Sequence, residues 1–103
     1  MAITSTQLTT TASANVFTAS GQQAITVIYL CNTTANTTLV DMYVTSAAAN
    51  AAANNQIYSN LAITANDTYV ISSEKLILDT GYLIKATANI ANNVTVTVSS
   101  IAV

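Results

Sequence analysis

Histidine, arginine, tryptophan and proline are all missing from this chain, which has a single cysteine and two glycines and sets two lysines against four acids in 103 residues. Without histidine there is no unperturbed group that titrates near neutral pH, and no Ser-His or Cys-His pair to activate a nucleophile. The acids Asp41, Asp67, Glu74 and Asp79 are scattered along the chain. Asp67 and Asp79 stand in turn contexts, where short acidic side chains cap backbone groups. Glu74 and Lys75 are neighbours at the start of a strand and read as solvated surface. No catalytic residues are therefore expected, and no enzyme. No cluster of His, Cys or carboxylates has metal-ligand spacing, and Gly21 and Gly81 are too far apart to cradle a phosphate. The expectation is no metal and no cofactor. Lys75 and Lys85 as the only cations exclude a basic surface for nucleic acid. The amino terminus has neither the basic start nor the apolar core of a secretory signal, and no apolar run reaches the length of a membrane span. The chain is thus expected to stay in the cytoplasm that makes it, with no membrane partner. On that reading the sequons at Asn32, Asn36, Asn66 and Asn93 are coincidental. Cys31 follows the apolar run Ile25 to Leu30 and has no cation near it in sequence, so it is expected to be a small, inert, buried hydrophobe.

What is present is apolar and uncharged polar: hydrophobic residues make up 51% and charged residues 6% of the chain. Soluble domains carry about a quarter charged residues, and a surface this neutral promotes association. Sheet proteins that stay monomeric guard their edges with Lys, Pro or inward charges, and this chain has almost nothing to spend on that defence. The reading is an assembling structural subunit, a homo-oligomer or a component of a larger particle.

The local pattern is β throughout. Val94-Thr95-Val96-Thr97-Val98 alternates strictly, as a half-buried strand does. The apolar positions then change parity at Ser99 and Ser100, which predicts a bulge there or a final stretch covered on both faces. Tyr82, Ile84, Ala86, Ala88 and Ile90 alternate with Leu83, Lys85, Thr87 and Asn89. The turn Ala91-Asn92-Asn93 predicts a hairpin between this strand and the last. Ala24 to Asn32 and Thr37 to Thr45 are expected to form another hairpin. Val40, Met42 and Val44 share one face, while Ile25 to Leu30 is apolar on both sides and belongs in a central position or an interface. Gln56 to Ile63, Thr68 to Ile71 and Leu76 to Leu78 are further strands, and weaker ones run from Ile3 to Thr10 and Val16 to Thr18. Ala47 to Asn55 reads as a surface loop or one short helix. About eight short strands predict one all-β domain, an antiparallel β-sandwich or jelly roll. The five tyrosines read as core edges or assembly contacts, ahead of a carbohydrate site. Only Thr95-Val96-Thr97 resembles an ice-binding ladder.

Several segments carry a resemblance: Tyr29-Leu30-Cys31-Asn32-Thr33-Thr34, then Tyr43-Val44, Leu61 through Thr68, Leu76 through Ala86 with Asp79-Thr80-Gly81 at its centre, and the closing Val94 to Val98. Their order resembles the small β-sandwich virion proteins of tailed bacteriophages, particularly of cyanobacterial phages, from about Ala24 onward. The resemblance implies a capsid decoration (cement) protein acting as an oligomer, often a trimer. It would bind the major capsid protein or other virion proteins on the capsid surface, after assembly in the host bacterial cytoplasm. The alternative is a tail, neck or fibre component whose tyrosines contact host glycans; an adhesin is disfavoured by the missing export signal. Residues 1–23 are expected to supply an arm and the first weak strands, and 24–103 the sandwich core. The arm, Met1 to Thr11, is expected to reach a neighbouring subunit. The expected interface residues are Met1, Ala2, Ile3, Leu8, Ile101 and Val103.

Overall fold

The computed structural model describes residues 2–9, 11–46, 51–72 and 76–102. Nine strands follow one another: β1 (Ala2–Gln7), β2 (Ala14–Thr18), β3 (Gln23–Asn32), β4 (Thr38–Thr45), β5 (Gln56–Ile63), β6 (Thr68–Ile71), β7 (Leu76–Leu78), β8 (Leu83–Ala88) and β9 (Val94–Ala102). They form two packed antiparallel sheets. Sheet A has the order β1-β9-β3-β6, with β7 also on β3, and sheet B the order β2-β8-β4-β5. The protein is an all-β sandwich, as the alternation predicted. A single 3-10 turn at Ala53–Asn55 precedes β5; the rest of the predicted loop, residues 47–50, lies outside the described residues, as do Glu74 and Lys75.

Both expected hairpins are overturned. β3 lies in sheet A and β4 in sheet B, and β8 and β9 are divided in the same way. Each connection is an arch that crosses from one sheet to the other, so that consecutive strands stack across the core instead of sharing a ladder. Alternation cannot distinguish the two cases, because a strand facing its neighbour across a core shows the same period as one lying beside it. What holds the arches is a buried amide. Asn32, 1% exposed, donates from Nδ2 to the carbonyl of Asn36 at 2.7 Å and to that of Ile63 at 2.9 Å, and its Oδ1 accepts from the Thr34 N–H at 3.0 Å and the Thr34 hydroxyl at 2.9 Å. Asn93, at the end of the other arch, donates from Nδ2 to the buried Thr38 hydroxyl at 3.0 Å, and its carbonyl accepts the Thr33 N–H at 3.1 Å. One polar cluster thus ties β3, β4, β5 and β9 together at one end of the sandwich. Left-handed asparagines Asn66 (φ 55) and Asn92 (φ 68) shape the neighbouring turns, and Gly81 (φ 87) shapes the β7–β8 turn at the opposite end.

The core is filled by the inward halves of these strands: Val40 and Met42, Ile84 and Ala86, and Val94, Val96 and Val98 are all fully buried. The change of parity at the end of β9 has its cause on the partner strand. Thr26 is an extra residue in β3, lying between the pairs Ile25↔Ser100 and Val27↔Ser99. Its hydroxyl lies 3.1 Å from the Ser99 carbonyl and 3.0 Å from the Ser99 hydroxyl. β9 keeps its pleat, so Ser100 points inward and Ile101 outward, while the bulge brings Ile25 onto the same inner face as Ile28 and Leu30. β3 is central, between β9 and β6.

The weak strand expected from about Ile3 is present, and the described part of the expected arm lies on its own sheet. β1 is the border strand of sheet A, paired with β9 from Ala2↔Ser100 to Gln7↔Thr95. The Thr4 hydroxyl donates to the Val16 carbonyl at 3.2 Å, linking β1 to β2 in the other sheet.

Two expectations follow for stability. Replacing Asn32 by Leu strands the buried Ile63 carbonyl and removes the part-buried bonds to the Asn36 carbonyl and the Thr34 N–H, at about 1–3 kcal/mol for a buried unsatisfied group. The melting temperature should fall by more than about 10 °C. Asn89→Ala, which removes only an exposed bond to the Leu39 N–H, should lower it by a few degrees at most. Conversely, the buried hydroxyls of Thr45 and Ser100 have no hydrogen-bond partner. Thr45→Val and Ser100→Ala should each raise the melting temperature, by roughly 4–8 °C per kcal/mol gained. Thermal melts followed by circular dichroism check both.

Candidate functional site

The described acids are used in turns and bulges. Asp41 Oδ1 accepts the N–H of Asn60 at 2.7 Å, holding a bulge in β5 where Asn60 takes φ 52. Asp67 accepts the Thr68 N–H at 2.8 Å and the Thr64 hydroxyl at 2.9 Å, closing the turn before β6. Asp79 binds the side-chain amide of Gln22 at 3.1 Å rather than its own turn's N–H groups. Among the described residues no group of three or more His, Cys, Asp or Glu could hold a metal.

The feature that stands out is the outer face of sheet A. No Asp, Glu, Lys or Arg occurs in any of its five strands. The registers set its outward side chains in rows. Ile101, Ala24 and Ile77 form one row, and Ile3, Ser99 and Val27 the next. Ser5, Thr97, Tyr29 and Val70 follow, and Gln7, Thr95, Cys31 and Thr68 complete the face. Ile3 is 66% exposed, Ile77 67% and Tyr29 42%, and Val70 and Ile101 are also exposed. Between these apolar groups runs the hydroxyl column of β9, with Thr97 hydrogen-bonded to Ser5 at 3.0 Å. Among the described residues the surface is apolar at its flanks, hydroxyl-bearing along its middle and free of charged side chains.

Sheet B differs. Its outer face carries Asp41 opposite Thr87, and Lys85 between Asn15 and Tyr43. The remaining described acids, Asp67 and Asp79, lie in the turns that flank β6 and β7. The two broad faces of the sandwich are thus unequal: one bears charge and the other none.

Of the residues expected at an interface, Ile3 and Ile101 do lie on the outer face of sheet A, as diagonal neighbours across β1 and β9. Leu8 does not. It is 1% exposed and belongs to the core, with its N–H bonded to the Val94 carbonyl at 2.9 Å at the end of the β1–β9 ladder. The backbone of Ala2 lies in β1, and Met1 and Val103 fall outside the described residues. Cys31 is corrected too: it is half-exposed on the outer face, since Leu30 and Asn32 take the inward positions beside it. Val27 and Tyr29 fall in the run expected at a central position or an interface, whereas sequence reasoning did not assign Val70 or Ile77 to a surface. For Ile77 the signal was present in the wholly apolar Leu76-Ile77-Leu78.

A second feature is an apolar cleft of about 310 Å³ where the sheets part, lined by Ile28, Ile57, Tyr58, Ile71 and Leu76. It has the polarity of the core and no charged lining residue, and residues 73–75 beside it lie outside the described residues.

In comparisons with protein families, curated proteins and solved structures, no match to this chain was found.

Proposed function

We propose that this protein is a non-enzymatic structural subunit of a virion, and specifically a capsid decoration protein that lays the outer face of sheet A on the major capsid lattice of a tailed bacteriophage. The observation that carries the reading is the ion-free face. A body of 38 × 25 × 20 Å has a broad side comparable to the ~800 Å² per partner buried in a standard protein interface. Isoleucine, valine and tyrosine there supply apolar area, and the hydroxyl column supplies hydrogen bonds that carry no ion-desolvation cost. The phage assignment, as opposed to assembly in general, rests on the resemblance of the segments from Tyr29 to Val98.

Such a contact is apolar, so its affinity should change little with salt, unlike one steered by charge. The test is to titrate the purified protein onto capsids of the phage that encodes it and to count bound copies by quantitative mass spectrometry. Hundreds of copies per particle support the reading; about a dozen would move the protein to the tail, and none would overturn it. Tyr29→Lys should weaken capsid binding by about 100-fold or more, as expected for an unpaired charge buried in an interface. Thr87→Lys, on the opposite face, should leave binding unchanged.

A further inference from the structure

The borders of the sandwich are β1 and the β6 and β7 pair in sheet A, and β2 and β5 in sheet B. An exposed border strand is a template for pairing, and proteins blunt it with bulges, short length, charge or proline. Three of these borders are blunted. β2 has Val16 as an extra residue between the pairs Asn15↔Lys85 and Phe17↔Ile84. β5 is broken twice in register and bent by the left-handed Asn60. β6 and β7 are only four and three residues long. β1 has no such device: six residues, Ala-Ile-Thr-Ser-Thr-Gln, in unbroken register with β9 and without charge, glycine or proline.

The direction of its free groups can be read from the ladder. The Leu8 N–H bonds the Val94 carbonyl, and hydrogen-bonded positions alternate along an antiparallel pair. Thr4 and Thr6 therefore turn their N–H and C=O toward β9, and Ile3, Ser5 and Gln7 turn theirs toward the open border. All three are exposed.

We propose that β1 pairs antiparallel with β1 of a second copy of this chain, about a two-fold axis through Ser5, joining the two A sheets into one. Opposed residues of an antiparallel pair share a face, so the axis must pass through a residue. At Ser5 it sets Ser5 against itself, Ile3 against Gln7 and Thr4 against Thr6, and every outward N–H and C=O of Ile3, Ser5 and Gln7 finds a partner. Moving the axis to Thr4 sets Gln7 against Met1, outside the described residues, and moving it to Thr6 sets Ile3 against Thr9, beyond the strand. Within the described strand, the register centred on Ser5 is the one that pairs every outward group. Carrying no charge, the strand meets its copy without repulsion, as an isologous contact requires.

The test uses disulfide trapping in a Cys31→Ser background. Hydrogen-bonded pairs have Cα atoms about 5.5 Å apart, inside the range of roughly 4.4–6.8 Å that a disulfide spans. Ser5→Cys should give a covalent dimer on mild oxidation. Ile3→Cys or Gln7→Cys alone should not, whereas a mixture of the two should cross-link one to the other. Ser5→Pro removes an N–H that faces the border and not β9, so it spares the internal ladder. It should abolish the dimer seen by sedimentation at high micromolar concentration while leaving the circular dichroism spectrum of the wild type. Absence of a covalent dimer from Ser5→Cys, equal cross-linking at all three positions, or an oligomer indifferent to Ser5→Pro would each overturn the pairing. These outcomes are independent of capsid binding: a dimer that ignores capsids removes the proposed function and keeps this pairing, and a capsid-binding monomer does the reverse.

Discussion

One buried amide governs the architecture. Where β3 ends, the buried side chain of Asn32 satisfies part-buried groups of the arch that follows and the buried carbonyl of Ile63 at the end of β5. Deprived of those bonds, the backbone of the arch would have to seek solvent, and the simplest way to do so is to open the sandwich at that end. Asn93 repeats the device from the other crossing and shares the Thr38 hydroxyl. The two sheets are therefore joined by apolar contact along their length and by directional bonds at one end. Directional bonds specify which crossing is made, something a core of valine, isoleucine and leucine does not do unaided.

With the arches fixed, the distribution of charge follows. Sheet A takes the strands whose outward residues are threonine, serine, valine, isoleucine and tyrosine, and sheet B takes Asp41 and Lys85. Each described acid also has a local task in a turn or bulge. Among the described residues, Asp41 and Asp67 are spent on shaping the backbone and no charged side chain lies in the strands of sheet A. A sparsely charged polypeptide that still folds uniquely draws most of its specificity from asparagine amides and hydroxyls, as the hydrogen bonds of this molecule show.

The positions of the strands were legible in the sequence because alternation with a period of two is strong in β4, β8 and β9, and the turn residues Asn66, Asn92 and Gly81 fall between them. Their partners were not. A short polar connection such as Asn32 to Thr37 suits a hairpin and an arch equally, and only the inward side chains of Asn32 and Thr38 distinguish the two. The bulge was placed on the wrong strand because parity records a mismatch between two strands without saying which one holds the extra residue; Thr26 holds it. Leu8 was misread as a contact because an apolar residue at the end of a weak strand gives no sign of which way it points. Of the outer face, Ile3 and Ile101 were anticipated, and the run holding Val27 and Tyr29 was expected at a central position or an interface. That these side chains and Val70 share one surface became visible only once the register of three strands had set them in rows.

The order of sheet A also has a kinetic consequence. β9 lies between β1 and β3, so neither strand can acquire its long ladder until the last one has been made. Pairing strands so distant in sequence costs loop-closure entropy before any contact repays it, and sheets built this way fold slowly. A nascent chain emerging from the ribosome would hold β1 and β3 without the strand that joins them, at the stage when exposed strand edges are most prone to join the wrong neighbour.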